Sequence, residues 1–226
     1  MGGGAVAVLK PPVIAIDGPA ASGKGTVARL LANRLNFHYL ESGKIYRSIG
    51  LLAIKRAVQM EDEAALIALA DEFVFEGVLR DDAELESEQV GAAASRLAVI
   101  PALRACLLSF QRAQLIPPGL VAEGRDMAGV VFPEAVLKVY LTADLLVRAA
   151  RRREQLRAQG LNDRIKDICT VLEKRDKRDA ERAVAPLGFA IGYWRVDSTK
   201  YSAQEVMQQL AEVFERRQQG EKIKND

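Results

Sequence analysis

Apolar residues fall into two rhythms along this chain. Short, nearly continuous apolar runs at 13–17, 37–40, 119–123, 136–142 and 190–197 read as strands buried on both faces. Between them, apolar positions recur at helical spacing over 24–35, 43–58, 62–72, 87–99, 101–115, 144–158, 164–183 and 202–217. Strands alternating with helices predict an α/β fold, a five-stranded parallel sheet flanked by helices. Ligands in such sheets bind beyond the carboxyl ends of the strands. The segments that follow the first three strands, GPAASGKGT, ESGKIYR and EGRDM, are therefore expected to face one site. The FVFEGVL run at 73–79 precedes an acidic stretch and reads as part of a small inserted element, not a core strand.

Composition narrows the class. The chain has 226 residues, 49% apolar and 27% charged, which suits one α/β core with small inserts. No apolar run has the length of a membrane span, and the start MGGGAVAVLKPP lacks the features of a signal peptide. Cys106 and Cys169 show no pairing pattern and are expected to be free thiols of a cytoplasmic protein. His38 is the only histidine, which leaves little material for a histidine-based triad or zinc site. The net charge of +2 hides an asymmetry: residues 60–90 hold eleven acids and one arginine, whereas 148–182 hold twelve bases and seven acids. Positive charge concentrated late in the chain suits closure over a polyphosphate better than a nucleic-acid face.

The chemistry begins at Gly18-Pro19-Ala20-Ala21-Ser22-Gly23-Lys24-Gly25-Thr26. Strand, glycine-rich loop and helix together make a phosphate cradle: glycines admit the phosphate, amides point inward at a helix N-terminus, and Lys24 adds a full charge. Gly25 follows the lysine where switch GTPases place a hydroxyl, so GKGT looks like a nucleoside-monophosphate kinase. Ser42 reads as a helix cap, with Tyr46 and Arg47 on the next turn. Arg125 can fork onto a phosphate and Asp126 can accept hydrogen bonds. Arg175, Arg178, Asp179 and Arg182 fall at i, i+3, i+4 and i+7, one helix face. Arg148, Arg151 and Arg152 suggest a second such face. Two phosphate-bearing reactants repel, and converging arginines would offset that repulsion. The D-x-x-G string DMAG has no accompanying N-K-x-D guanine reader.

GPAASGKGT, ESGKIYR, AAAS before Pro101, EGRDMAGVVFP and RDKRDAERAVAPL resemble the bacterial cytidylate kinases in order and spacing, from about Val13 to Ala211. The resemblance implies a P-loop kinase fold with a small monophosphate-binding insert and a helical lid. It implies transfer of the γ-phosphate of ATP to CMP or dCMP with Mg²⁺, the ion held mainly through phosphates, with Thr26 as the one side-chain candidate. By the same resemblance Gly18 to Thr26 would hold the ATP phosphates. Ser95, Arg104 and Asp126 would read cytosine, and Arg47, Arg125 and Arg182 would hold the CMP phosphate with Ser42 and Tyr46 beside it. Arg175 and Asp179 would meet ribose and phosphates, and Arg148 and Arg152 would belong to the lid and bind ATP. By the same resemblance, Lys24, Arg125, Asp126, Arg175 and Arg182 would carry the transfer. The expected division is 12–72 and 96–217 for the core, 73–95 for the insert, 148–165 for the lid, and loose termini at 1–11 and 218–226. The expected partners are small nucleotides, with no nucleic acid or membrane, for a monomer.

Three positions depart from the family pattern. Glu41 replaces a usual Asp, Ala128-Gly129 replaces a common Gly-Thr, and the stretch from Phe75 to Ser95 is shorter, with Glu86 where an arginine is usual. Two other readings stay open beside this one: a P-loop kinase for another small phosphate acceptor, and a nucleotide-binding regulator without turnover.

Overall fold

The computed structural model describes residues 10–76, 83–158, 160–161, 163–188 and 192–221. Five strands form one sheet: β1 (Val13–Asp17), β2 (His38–Glu41), β3 (Leu120–Gly124), β4 (Leu137–Thr142) and β5 (Trp194–Asp197), in the order β2-β3-β1-β4-β5. Every pairing is parallel, with Ala15 opposite Ala122 and Lys138. β1 is central and wholly buried, which is why VIAID shows no apolar–polar alternation. Its side chains still divide by parity. Val13 and Ala15 join one core, Ile14 and Ile16 the other.

Helices cover both faces. On one, α1 (Lys24–Leu35) and α8 (Ala203–Gln218) pack Val27, Leu31, Leu210 and Phe214 against Ile14, Val121 and Val139. On the other lie α2 (Ser42–Lys55), α3 (Glu63–Glu76), α4 (Glu88–Leu97) and α5 (Pro101–Ala113), joined through Ile45, Leu66, Leu97 and Leu107. The helix starts follow local chemistry. Pro101 opens α5, and α8 has a reciprocal Ser202–Glu205 capping box. α6 (Leu145–Ala158) and α7 (Ile165–Glu181) form a hairpin over the carboxyl end of β1, where Leu156, Ile168 and Leu172 pack with Ala20.

Three local expectations are corrected. Ser42 is the first residue of α2 and not its cap; Glu41 holds the cap position without a side-chain bond. Arg182 lies outside the helix that was expected to carry it. It is the C-cap of α7, in extended backbone at φ −63° and ψ 140°. The helix expected over 62–72 runs on to Glu76, so Phe73–Glu76 form the last turn of α3. The rest of the FVFEGVL run, 77–79, lies outside the described residues, as do 1–9 and 222–226 of the expected termini and 190–191 of the last expected strand.

Candidate active site

α1 begins without a side-chain cap: Gly23 takes the N-cap position in the left-handed region at φ 93°. The first amides of that helix are thus left to an outside acceptor. Gly18 is required for a different reason from the one expected. A Cβ there would stand 2.0 Å from the Leu141 carbonyl oxygen, so its role is close packing of the loop on β4. Lys24 is buried, donates to the Pro19 carbonyl at 2.8 Å and stands 4.0 Å from Glu123. Burial, and then the Arg125 charge, lowers its ammonium pKa to about 7.

A cleft of about 780 Å³ opens over the carboxyl ends of β1, β2 and β3. Its floor is Ala20 to Thr26. Ser42, Tyr46 and Arg47 of α2 enter from one side, and Ser95 of α4 and Arg104 of α5 from behind. Arg125 and Asp126 follow β3; Arg152, Arg175, Asp179 and Arg182 come from the lid hairpin and its end. Segments distant in sequence thus converge as the strand-end rule requires. Gly124 makes room at the crossing, since a Cβ there would lie 2.4 Å from Ser42 Oγ.

Of the expected phosphate residues, Gly18, Pro19 and Arg148 do not line this cleft. Arg148 is buried behind the loop. It donates to the carbonyls of Ala20 and Ala143, each at 3.0 Å, and to Asp176, which also accepts the Ala20 amide at 3.0 Å. Arg148 therefore braces the P-loop instead of meeting ATP in this conformation. Arg152 does line the cleft, but its guanidinium is taken by Glu88, at 2.9 Å through Nε, and by the Glu86 carbonyl at 3.2 Å.

The cleft walls divide into two electrostatic regions. Asp126 is paired with Arg104 and has Arg182 at 3.9 Å; all three are buried. Arg104 also reaches the Tyr46 hydroxyl at 3.4 Å, and burial lifts that phenol to about 12. Ser95 accepts from Arg178 at 3.0 Å, a contact that leaves its own hydroxyl proton free to donate. The second region is cationic. Burial opposes the charge on Arg125, but Asp179 at 2.8 Å outweighs it and raises the pKa. Arg175 is less compensated: burial, then the Arg125 and Arg47 charges, lowers it to about 10. Among the described residues its Nε has no hydrogen-bond partner, and neither does Arg182 Nη2. Buried guanidinium N–H groups without acceptors are the complement of an anion.

Three residues beyond the sequence reading, and Arg151, which it placed on a basic helix face, matter here. Asp17 ends β1 fully buried, and Asp176 braces the P-loop as described. Arg151 donates to the Ser22 carbonyl at 3.2 Å and to Ser198 at 3.0 Å, beside a second cavity of about 480 Å³ that includes Thr26 and Tyr201. For Asp17 and Ser198 the sequence carried no local signal, because their partners lie 47 to 176 residues away. Asp176 stood inside a basic segment, outnumbered by its arginines, and for Arg151 the sequence reading gave a basic helix face but not its partners.

The cytidylate kinase family matches residues 14–216. The chain belongs to the cytidylate kinase family. A cytidylate kinase of Methylococcus capsulatus is 45% identical over 90% of this chain and 97% of its own length. One of Azotobacter vinelandii is 44% identical over 89% and 94%. Among solved structures, an uncharacterized protein from Eubacterium ventriosum shares the fold at a TM-score of 0.55 and 16% identity, covering 91% of this chain and 99% of its own. The chain is thus a kinase with a five-stranded parallel sheet flanked by helices. Among the described residues no single helix is long and apolar enough to cross a membrane.

Proposed function

We propose that this chain transfers the γ-phosphoryl group of ATP to CMP or dCMP, giving CDP or dCDP. The observation that carries the reading is the division of one cleft into an uncapped P-loop, a cationic middle and a hydrogen-bonding pocket around Asp126. The P-loop amides and Lys24 would hold the β- and γ-phosphates of ATP, with its nucleoside towards the second cavity by Arg151 and Tyr201. Arg47, Arg125, Arg175 and Arg182 would hold the acceptor phosphate, with Asp179 fixing Arg125 and reaching towards ribose. Cytosine offers an amino donor for Asp126 and acceptors at N3 and O2 for Arg104 and Ser95.

An acceptor phosphate oxygen attacks the γ-phosphorus in line, so no phosphoenzyme is needed. Lys24 and the arginines meet the charge spread over the transferring group, and lid closure excludes water. The donors present fit magnesium held chiefly by substrate. The Thr26 hydroxyl and the Glu123 carboxylate flank the cradle, and no group of three metal-binding side chains occurs among the described residues. When bound with ATP, the ion would supply further positive charge to the phosphates. We divide the chain into a core at 12–72 and 96–217, an acceptor-side insert at 73–95 and a lid at 148–165. It would work as a monomer in the cytoplasm, where its free Cys106 and Cys169 would stay reduced.

A coupled ADP-release assay with CMP, dCMP, UMP and AMP tests this reading. CMP should exceed UMP by at least about tenfold in kcat/KM, because uracil puts an acceptor against Asp126 and leaves buried groups unpaired. Preference for UMP or AMP would replace it with another acceptor. Tight nucleotide binding with no ADP release would replace it with a regulator.

A further inference from the structure

Asp17 is the last residue of the central strand and is 0% exposed. No described ion pair neutralises it. Its Oδ1 accepts the Met127 amide at 2.8 Å, and its Oδ2 accepts the Ala128 amide at 2.9 Å and the Tyr193 hydroxyl at 2.9 Å. Two successive amides closing on one anion form a nest, here filled by the protein's own carboxylate. Those amides belong to the two residues directly after Asp126, whose backbone is irregular at φ −149° and ψ 22°. Their peptide planes set where the Asp126 carboxylate can reach.

We infer that Asp17 is a positioning residue for acceptor-base selection: seated in the amides that follow Asp126, its carboxylate fixes that residue's backbone so that the side chain meets the base. The inference rests on the assignment of Asp126 as base reader. Asp17 touches no substrate in this arrangement; it acts through the 126–128 backbone. A neutral amide at 17 could not replace it, because it offers one oxygen to two amides that need one each. Burial raises the Asp17 pKa to about 6, with the Asp126 charge adding to the rise and the three donors opposing it. The other ionisable groups facing this corner are Lys24 at the start of α1, Tyr140 of β4 and Tyr193 before β5.

The test is the CMP/UMP ratio of kcat/KM at saturating ATP, which cancels disturbance of the adjoining P-loop and the phosphate ionisation common to both acceptors. Asp17→Asn, confirmed folded by circular dichroism, should lower that ratio about tenfold, the loss of one buried hydrogen bond. Tyr193→Phe removes the donor outside the 126–128 segment and should keep the ratio while lowering Tm. An unchanged ratio in folded Asp17→Asn, or an equal fall in both variants, overturns the inference. Should Asp17→Asn not fold, the wild type decides. The Met127 and Ala128 amide shifts and the CMP/UMP ratio should titrate together near pH 6, the ratio falling as Asp17 is protonated. A ratio that stays flat while those amides titrate overturns it equally. A wild type that does not distinguish CMP from UMP would instead remove Asp126 as base reader.

Discussion

Without nucleotide, the Lys24 ammonium spends one proton on its own loop, at the Pro19 carbonyl, in a site where Arg125 and Arg175 oppose its charge. With a pKa of about 7, the ligand-free enzyme at pH 8 carries Lys24 largely neutral. A bound polyphosphate raises that pKa, so ATP binding should draw a proton from solvent. Calorimetry in two buffers of different ionisation enthalpy measures this uptake at pH 8, and it should shrink as pH falls below 7 and Lys24 is already protonated. Lys24→Ala should abolish the uptake and lower kcat by roughly a hundredfold or more while the protein remains folded. Near-normal turnover in the folded variant, or uptake that survives it, would remove Lys24 from the transfer.

Elements recovered from apolar spacing alone agree with the structure to within a few residues at most ends, because each buries an apolar face in the sheet or in one of the clusters packed around it. The P-loop and the arginines were legible for a related reason: their signals are local strings. What was not legible depends on contacts between elements. Arg182 continues a helical pattern in sequence, yet the chain leaves the helix at that residue, and its guanidinium still reaches Asp126. Glu86 shows the same limit in the short 3₁₀ turn at Ala83–Glu86. The sequence reading could place an acid where an arginine is usual, but not its partner. Its carboxylate binds Arg47 at 2.7 Å, on a cation assigned to the acceptor phosphate. Acceptor binding must then displace a carboxylate. Glu86 is about half exposed, so the pair is screened and worth at most about 1 kcal/mol. Glu86→Arg should lower KM for CMP by roughly two- to fivefold, an effect that shrinks in high salt, with little change in KM for ATP. A change falling mainly on ATP would put this turn on the wrong side of the cleft.

Over the whole molecule, Glu86 and Glu88 of the acidic stretch and Arg152, Arg175 and Arg182 of the basic stretch line one cleft. Arg148, Arg152, Arg175, Arg178 and Arg182 bring five like charges together, and most of them have partners within the protein: Arg148 is held by Asp176, Arg152 by Glu88, Arg178 by Ser95 and Arg182 by Asp126 and the Ala185 carbonyl. Burial still disfavours the charges of Arg175 and Arg182, and at Arg175 the Arg125 and Arg47 charges add to it. In the proposed division of the chain, Arg152 thus ties α6 to Glu86 and Glu88 of the acceptor-side insert, where a bound nucleotide would compete for it. Glu86 and Glu88 are both about half exposed, so their hold on Arg152 is weak and salt-sensitive. Nucleotides would exchange this latch for charge-assisted bonds in a drier site. Hydrogen exchange over α6 measures the exchange of partners. Raising salt from about 0.05 to about 0.5 M should reduce protection of 145–158 in the ligand-free protein, because the Debye length falls from roughly 14 to 4 Å. With a non-hydrolysable ATP analogue and CMP bound, protection should be higher and nearly independent of salt. Equal protection at both salt levels without nucleotide would mean that apolar packing around Leu156, Ile168 and Leu172 holds the lid, and that the acidic wall does not.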